Sequence, residues 1–311
     1  MSVFHPDLRS ARFIPPIPAR MPVVRLMRRT PKPKPAPHDV RIEELDVPGA
    51  EGAPAVRLRI YRPTALDAAD AAPAPAMLWI HGGGFLLGSP AQDEASSIAF
   101  ARALGMVVVA VRYRLAPEYP SPAAVEDAYA ALTWLFENAA RLGVDDERIA
   151  VGGASAGGGL AASLVLYAHD RGEIRPAFQL LVYPMLDDRT VTRRDHDTRN
   201  VRLWSPAQNR IGWTSYLGRE PGSPDVSPYA AAARRQDLTG LPAAWIGVGT
   251  LDLFHDEDVE YARRLREAGV PCEFHVVDGA FHGFDALYRG ARVSREFHAE
   301  QARALRAALS R

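Results

Sequence analysis

The sequence predicts an α/β protein: a mainly parallel central sheet flanked by helices. Three observations carry this. Short, continuously apolar runs such as Met106–Val111 alternate with helix-length segments, the pattern of strands buried on both faces. The stretch Arg148–Ala162 reads as a strand, a tight glycine-rich turn and an Ala/Leu-rich helix. At 311 residues, 47% of them hydrophobic, the chain has enough material to cover such a sheet.

Taken in order, the proline-rich first 40 residues cannot form one long helix, although short helices over Pro6–Phe13 and Met21–Arg29 fit between the prolines. Arg20, Arg25, Arg28 and Arg29 give that segment a solvated or ion-paired face. Val40–Val47 and Val56–Tyr61 are strands separated by Pro-Gly and Gly-Ala-Pro turns, an antiparallel hairpin. A surface loop over Thr64–Pro75 leads to the strand Ala76–Ile80, and the helix Asp93–Leu104 stops at Gly105. After the strand Met106–Val111, Ser121 is expected to cap a helix that has Pro122 in its first turn and runs to about Arg141. The strand at Ile149, a helix to about Asp170 and the strand Phe178–Tyr183 follow.

The rhythm then breaks. From Pro184 to about Leu241 there is no buried strand, only polar loops and a helix from Ser205-Pro206 to about Leu217. An insertion of this size belongs at the carboxyl edge of a parallel sheet, where ligands bind, and is a candidate lid. The strand Ala243–Val248, the helix Asp256–Ala268, the strand Cys272–Val277 and the helix Val293–Leu309 complete the chain.

The turn at the centre contains Gly153-Ala154-Ser155-Ala156-Gly157, a G-x-S-x-G match that lifts Ser155 onto the crest. A serine hydroxyl needs a base to become a nucleophile. Of nine histidines, His282 suits best, because it follows a strand in a loop at the same sheet edge, whereas His275 lies within a strand and His298 within a helix. Asp252, just past the strand ending near Thr250, is the carboxylate chosen to orient that histidine; Asp256 and Asp258 stand at a helix start, where capping accounts for them. The order Ser155, Asp252, His282 is that of α/β-hydrolases. His81-Gly82-Gly83-Gly84-Phe85 follows another strand, and the N–H groups of Gly83, Gly84 and Ala156 are candidates for an oxyanion hole. His81 itself is expected to be structural. Phe85, Trp204, Trp213 and Phe284 are candidates either for lining an apolar pocket or for packing cap and core.

Together, His81-Gly82-Gly83-Gly84, the run Tyr113-Arg114-Leu115-Ala116-Pro117-Glu118 with Pro122-Ala123-Ala124-Val125-Glu126-Asp127-Ala128, the Gly-x-Ser-Ala-Gly-Gly elbow, Asp252 and His282 resemble the bacterial hormone-sensitive-lipase family of carboxylesterases. The resemblance runs from about Tyr61 to the C-terminus. It implies an α/β-hydrolase core over 41–184 and 241–311, and a helical cap built from 1–40 and an insertion over 185–240. It further implies hydrolysis of short- to medium-chain acyl esters through an acyl-enzyme, with no metal or cofactor. Two positions depart from it: Ala154 stands where the family has Asp or Thr, and Leu253-Phe254 where it often has Pro-Leu.

Other classes fare less well. A formal net charge of zero creates no field to draw nucleic acid or an anionic membrane. A single cysteine, Cys272, excludes an intrachain disulfide and a thiolate metal cluster. No G-x-G-x-x-G or P-loop is present. The first residues lack the basic start and apolar core of a secretory signal, so a cytoplasmic monomer or homodimer acting on a small-molecule ester is expected. An amidase or deacylase using the same three residues is the alternative, and a non-catalytic receptor on this fold a more distant one.

Overall fold

The computed structural model describes residues 3–15, 21, 28, 37–68, 70–195 and 197–310. The helix expected over 21–29 lies almost wholly outside them. The apolar runs become β1 (Val40–Val47), β2 (Val56–Pro63), β3 (Ala74–Ile80), β4 (Val107–Arg112), β5 (Val144–Ala154), β6 (Phe178–Val182), β7 (Ala243–Gly249) and β8 (Cys272–Val277). They form one eight-stranded sheet in the order β1-β2-β4-β3-β5-β6-β7-β8. β1 and β2 pair as the expected hairpin and β2 pairs antiparallel with β4; every later pairing is parallel.

Period two is preserved even in the all-apolar strands. Val107, Val109 and Val111 face the same side as Leu78, Ile80, Ile149 and Val151, whereas Val108 and Ala110 face the side of Met77, Trp79 and Ala150. The first face is covered by α2 (Ala123–Glu137), α3 (Ala156–Arg171) and α5 (His255–Glu267), the second by α1 (Glu94–Leu104) and α7 (Arg292–Leu309). The 3-10 helix Pro6–Phe13 also packs on the second face, burying Leu8 and Ala11, with the Val293 N–H donating to Asp7 at 3.1 Å.

The insertion between β6 and β7 carries α4 (Pro206–Leu217), whose start has a capping box: Ser205 accepts from the Gln208 N–H and Gln208 from the Ser205 N–H. Asp188, fully buried, accepts two hydrogen bonds from Arg234 and one from the Gly222 N–H, which ties the ends of the insertion together. No described helix is long and apolar enough to cross a membrane.

Two capping expectations fail. Pro122, not Ser121, is the N-cap of α2, because its carbonyl accepts the first helical N–H groups, from Val125 and Glu126; the helix ends at Glu137, followed by a 3-10 turn over Ala140–Leu142. The carboxylates at the start of α5 do not cap it either. Phe254 is the N-cap, Asp256 pairs with Arg193 and His255, and Asp258 is fully buried. A short helix absent from the sequence expectation, α6 (Phe284–Leu287), follows His282.

Candidate active site

Because β3 and β5 to β8 are parallel, the loops leaving them emerge at one sheet edge. Ser155 stands between β5 and α3 with φ 58° and ψ −124°, a left-handed backbone that a non-glycine residue adopts only where neighbours enforce it. Those neighbours are identifiable: its N–H donates to the Val182 carbonyl at 2.9 Å, and its own carbonyl accepts from Gly159 and Met185, each at 3.0 Å. Gly157 shows why the elbow needs glycine, since a Cβ there would run into the carbonyl oxygens of Ile80 and His81.

His282 and Asp252 converge on this serine from the loops after β8 and β7. His282 Nε2 lies 2.8 Å from Ser155 Oγ and Nδ1 lies 2.8 Å from Asp252 Oδ2. A carboxylate only accepts, so Nδ1 carries the proton and Nε2 turns its lone pair to the serine hydroxyl. The second Asp252 oxygen accepts from the Phe254 N–H at 3.0 Å, which fixes the carboxylate plane. All three side chains are over nine-tenths buried. His275 and His298 lie in β8 and α7, away from this chain of bonds.

The glycine loop after β3 borders the serine: a Cβ on Gly82 would stand 3.3 Å from Ser155 Cβ. Gly83 and Gly84 take φ 124° and 60°. Among the described residues, the N–H groups of Gly83, Gly84 and Ala156 find no backbone acceptor. The loop is buttressed from below. His81 is buried, bonds the Gly82 carbonyl through Nδ1 at 2.8 Å and stacks on Tyr113, whose hydroxyl donates to the His81 carbonyl. Burial pushes the His81 imidazole down to about 4, so it stays neutral. Arg114, held by Asp127, anchors the segment whose Ala116 N–H bonds the Phe85 carbonyl. Arg28 donates to the carbonyls of Leu86 and Ala116 and to Glu118.

Of the four aromatic candidates, Phe85 and Trp213 are fully buried in one cluster with Tyr216, joining the glycine loop to α4, and Phe284 packs on Phe297 in the other core. Trp204 is half-buried and lies directly on Gly84, where a Cβ would strike its ring. The preceding Leu203, at φ 64°, reaches to 3.4 Å from where a Cβ on Gly283 would stand. Sequence reasoning missed Tyr183 and Phe254, whose rings meet the His282 imidazole near-perpendicularly at centroid distances of 4.8 and 5.2 Å. Only the position of Tyr183 at a strand end hinted at it. Among the described residues, no cluster of three or more His, Cys, Asp or Glu is placed to hold a metal ion.

The chain matches a family model for the α/β hydrolase fold over residues 77–286. Esterase LipI of Mycobacterium tuberculosis is 35% identical over 81% of this chain and 77% of its own length. Carboxylic ester hydrolase LipN of the same organism is 36% identical over 88% and 72%. Among solved structures, a bacterial heroin esterase superposes with a TM-score of 0.89 at 40% identity, covering 99% of both chains. Esterase LipW from Mycobacterium marinum superposes with a TM-score of 0.84 at 35% identity, covering 99% of this chain and 97% of its own. With this coverage, the chain belongs to the α/β-hydrolase-fold family and, within it, to the bacterial hormone-sensitive-lipase family of carboxylesterases.

Proposed function

We propose that this protein hydrolyses short- to medium-chain acyl esters through Ser155, His282 and Asp252. The observation that supports this most is the unbroken pair of 2.8 Å hydrogen bonds from Asp252 through His282 to Ser155. His282 Nε2 takes the hydroxyl proton as Oγ attacks the ester carbonyl, and Asp252 stabilises the imidazolium that forms. The carbonyl oxygen becomes an oxyanion facing the N–H groups of Gly83, Gly84 and Ala156. Collapse of this intermediate breaks the C–O bond, and the alcohol leaves with the proton from His282. A water then gives its proton to His282 and attacks the acyl-enzyme; as the second intermediate collapses, the bond to Ser155 Oγ breaks, His282 returns the proton to that oxygen, and the carboxylic acid is released. The described parts of 1–40 and of 185–240 are assigned to a cap over a core of 41–184 and 241–311, and Trp204 of that cap lies against Gly84 of the glycine loop.

The test is turnover of p-nitrophenyl esters from acetyl to palmitoyl. Ser155→Ala is expected to lower kcat by ~1,000-fold or more while the protein still melts cooperatively. Wild-type rates in that variant would remove the serine from the mechanism. A wild-type rate that peaks on palmitoyl would overturn the chain-length assignment.

A further inference from the structure

His282 is held by more than its two hydrogen bonds. Its imidazole meets two aromatic rings near-perpendicularly, Tyr183 at 66° and Phe254 at 87°. Phe254 belongs to the Asp252 turn, so its place follows from that turn. Tyr183 comes from β6 and needs a different account.

Tyr183 is the residue after β6, and it takes φ 35°, the left-handed region that a bulky side chain avoids. It also precedes Pro184, which restricts its backbone further. Its N–H donates to the Gly247 carbonyl at 2.7 Å, which continues the pairing of β6 to β7 past the strand end. Its hydroxyl donates to Asp285 Oδ1 at 2.8 Å. Both side chains are buried, and Asp285 lies on α6, the helix that leaves the His282 loop. His298 of α7 approaches the other Asp285 oxygen at 3.4 Å. Burial, reinforced by the Asp285 charge, keeps the phenol protonated far above its ordinary range, so Tyr183 remains the donor.

We propose that Tyr183 is a positioning residue for His282: strain turns its ring against the imidazole, and the hydroxyl bond to Asp285 locks ring and histidine loop together. The two ends of the lock start from different strands. Tyr183 is fixed to β6 and β7, while Asp285 is three residues beyond His282, so the bond ties the base to the sheet that carries Ser155. No hydrogen bond, ion pair or ring contact among the described residues joins Tyr183 or Asp285 to the glycine loop or Trp204, so the lock acts on the base. This inference rests on the acyl-transfer reading of Ser155 and His282.

The test compares wild type with Tyr183→Phe, Tyr183→Leu, Asp285→Asn and Asp285→Leu, measuring kcat and KM on p-nitrophenyl acetate, the rate of Ser155 labelling by a fluorophosphonate, and thermal melting. Tyr183→Phe keeps the ring and loses the lock; it is expected to cut kcat and the labelling rate ~10-fold with KM within about twofold, since small misplacements of a catalytic group cost up to ~100-fold. Tyr183→Leu falls further. Asp285→Asn retains an acceptor and recovers most of the activity that Asp285→Leu loses. Should Tyr183→Phe and Asp285→Leu match wild type in kcat and labelling, the lock is refuted. The same holds if their losses appear only in KM, or track melting temperature alone. A wild-type enzyme that neither turns over the ester nor labels at Ser155 would instead refute the underlying acyl-transfer reading.

Discussion

The ring of Phe85 lies parallel to that of Tyr216, with centroids 3.8 Å apart and planes 10° apart. Phe85 closes the glycine loop and Tyr216 lies on α4 in the insertion, so this stack couples the proposed oxyanion hole to the proposed cap. Tyr216→Ala removes the stack and opens a cavity, at a cost of about 3–5 kcal/mol for a buried aromatic. Thermal melting is expected to fall by roughly 10 °C. Catalysis should suffer too, with kcat/KM on p-nitrophenyl butyrate lower by ~10-fold or more, as a loosened oxyanion donor costs up to ~1,000-fold. Tyr216→Phe, which preserves the stack, is expected to keep kcat/KM near wild type.

Gly84 has no room for a side chain because the Trp204 ring occupies the place of its Cβ, and its φ of 60° disfavours one. Gly84→Ala is therefore expected to displace Trp204 and lower kcat by ~100-fold. Trp204→Ala alone should leave kcat within a few-fold and raise KM for small esters, as the loss of a proposed pocket wall would. The double variant is expected to recover part of the Gly84→Ala loss, since the clash disappears and only the backbone preference remains. Strict additivity of the two kinetic effects would show that the contact does not matter.

Asp258 is fully buried, and neither of its carboxylate oxygens has a hydrogen-bond partner among the described residues. Burial first, then the charges of Glu257 and Asp252, push its carboxyl well above the usual range. The folded protein thus holds a proton that the unfolded chain releases. The contribution of this group to stability is fully present below the unfolded carboxyl value of about 3.9 and is lost as pH rises from there through the raised folded value. Asp258→Asn removes this decline. Urea denaturation is expected to show the variant and wild type alike near pH 4 and the variant more stable at pH 8, by on the order of 1–3 kcal/mol. An equal difference at both pH values would mean that the carboxyl does not titrate in this window.

Arg28 ties the N-terminal segment to the glycine loop, donating to the Leu86 carbonyl at 2.7 Å and to Glu118 at 2.9 Å. Arg28→Ala should free that segment. Limited proteolysis is expected to cut before residue 38 faster than in wild type, and kcat/KM to fall several-fold as the loop loses one of its supports. Unchanged cleavage would detach the first 40 residues from the cap proposal.

Much of this organisation was readable in the chain. The strands follow from alternation in β1 and β2 and from apolar runs in the buried sheet, and β1, β8 and the start of α4 fall where the pattern places them, because each is decided by local periodicity or by a cap such as Ser205 with Gln208. Helix starts were less secure. Ser121 and Asp256 are good capping types, yet neither caps: α2 starts from the Pro122 carbonyl, one residue past Ser121, and Asp256 is recruited by Arg193. Tertiary partners outbid a local preference of about 1 kcal/mol. The aromatic candidates show the same limit, since composition cannot separate Trp204, which lies on the glycine loop, from Trp213, which is sealed in the core.

The sequence by itself determined the fold class and which loops carry Ser155, Asp252 and His282, because strand, turn and helix signals are local and parallel strands send their loops to one edge. Only the tertiary structure decided the strand order, the 2.8 Å contacts between residues 155, 252 and 282, and the Tyr183–Asp285 bond behind the histidine. Each of these joins residues far apart in the chain. Their meeting depends on sheet register and on how two cores pack, which no window of sequence contains.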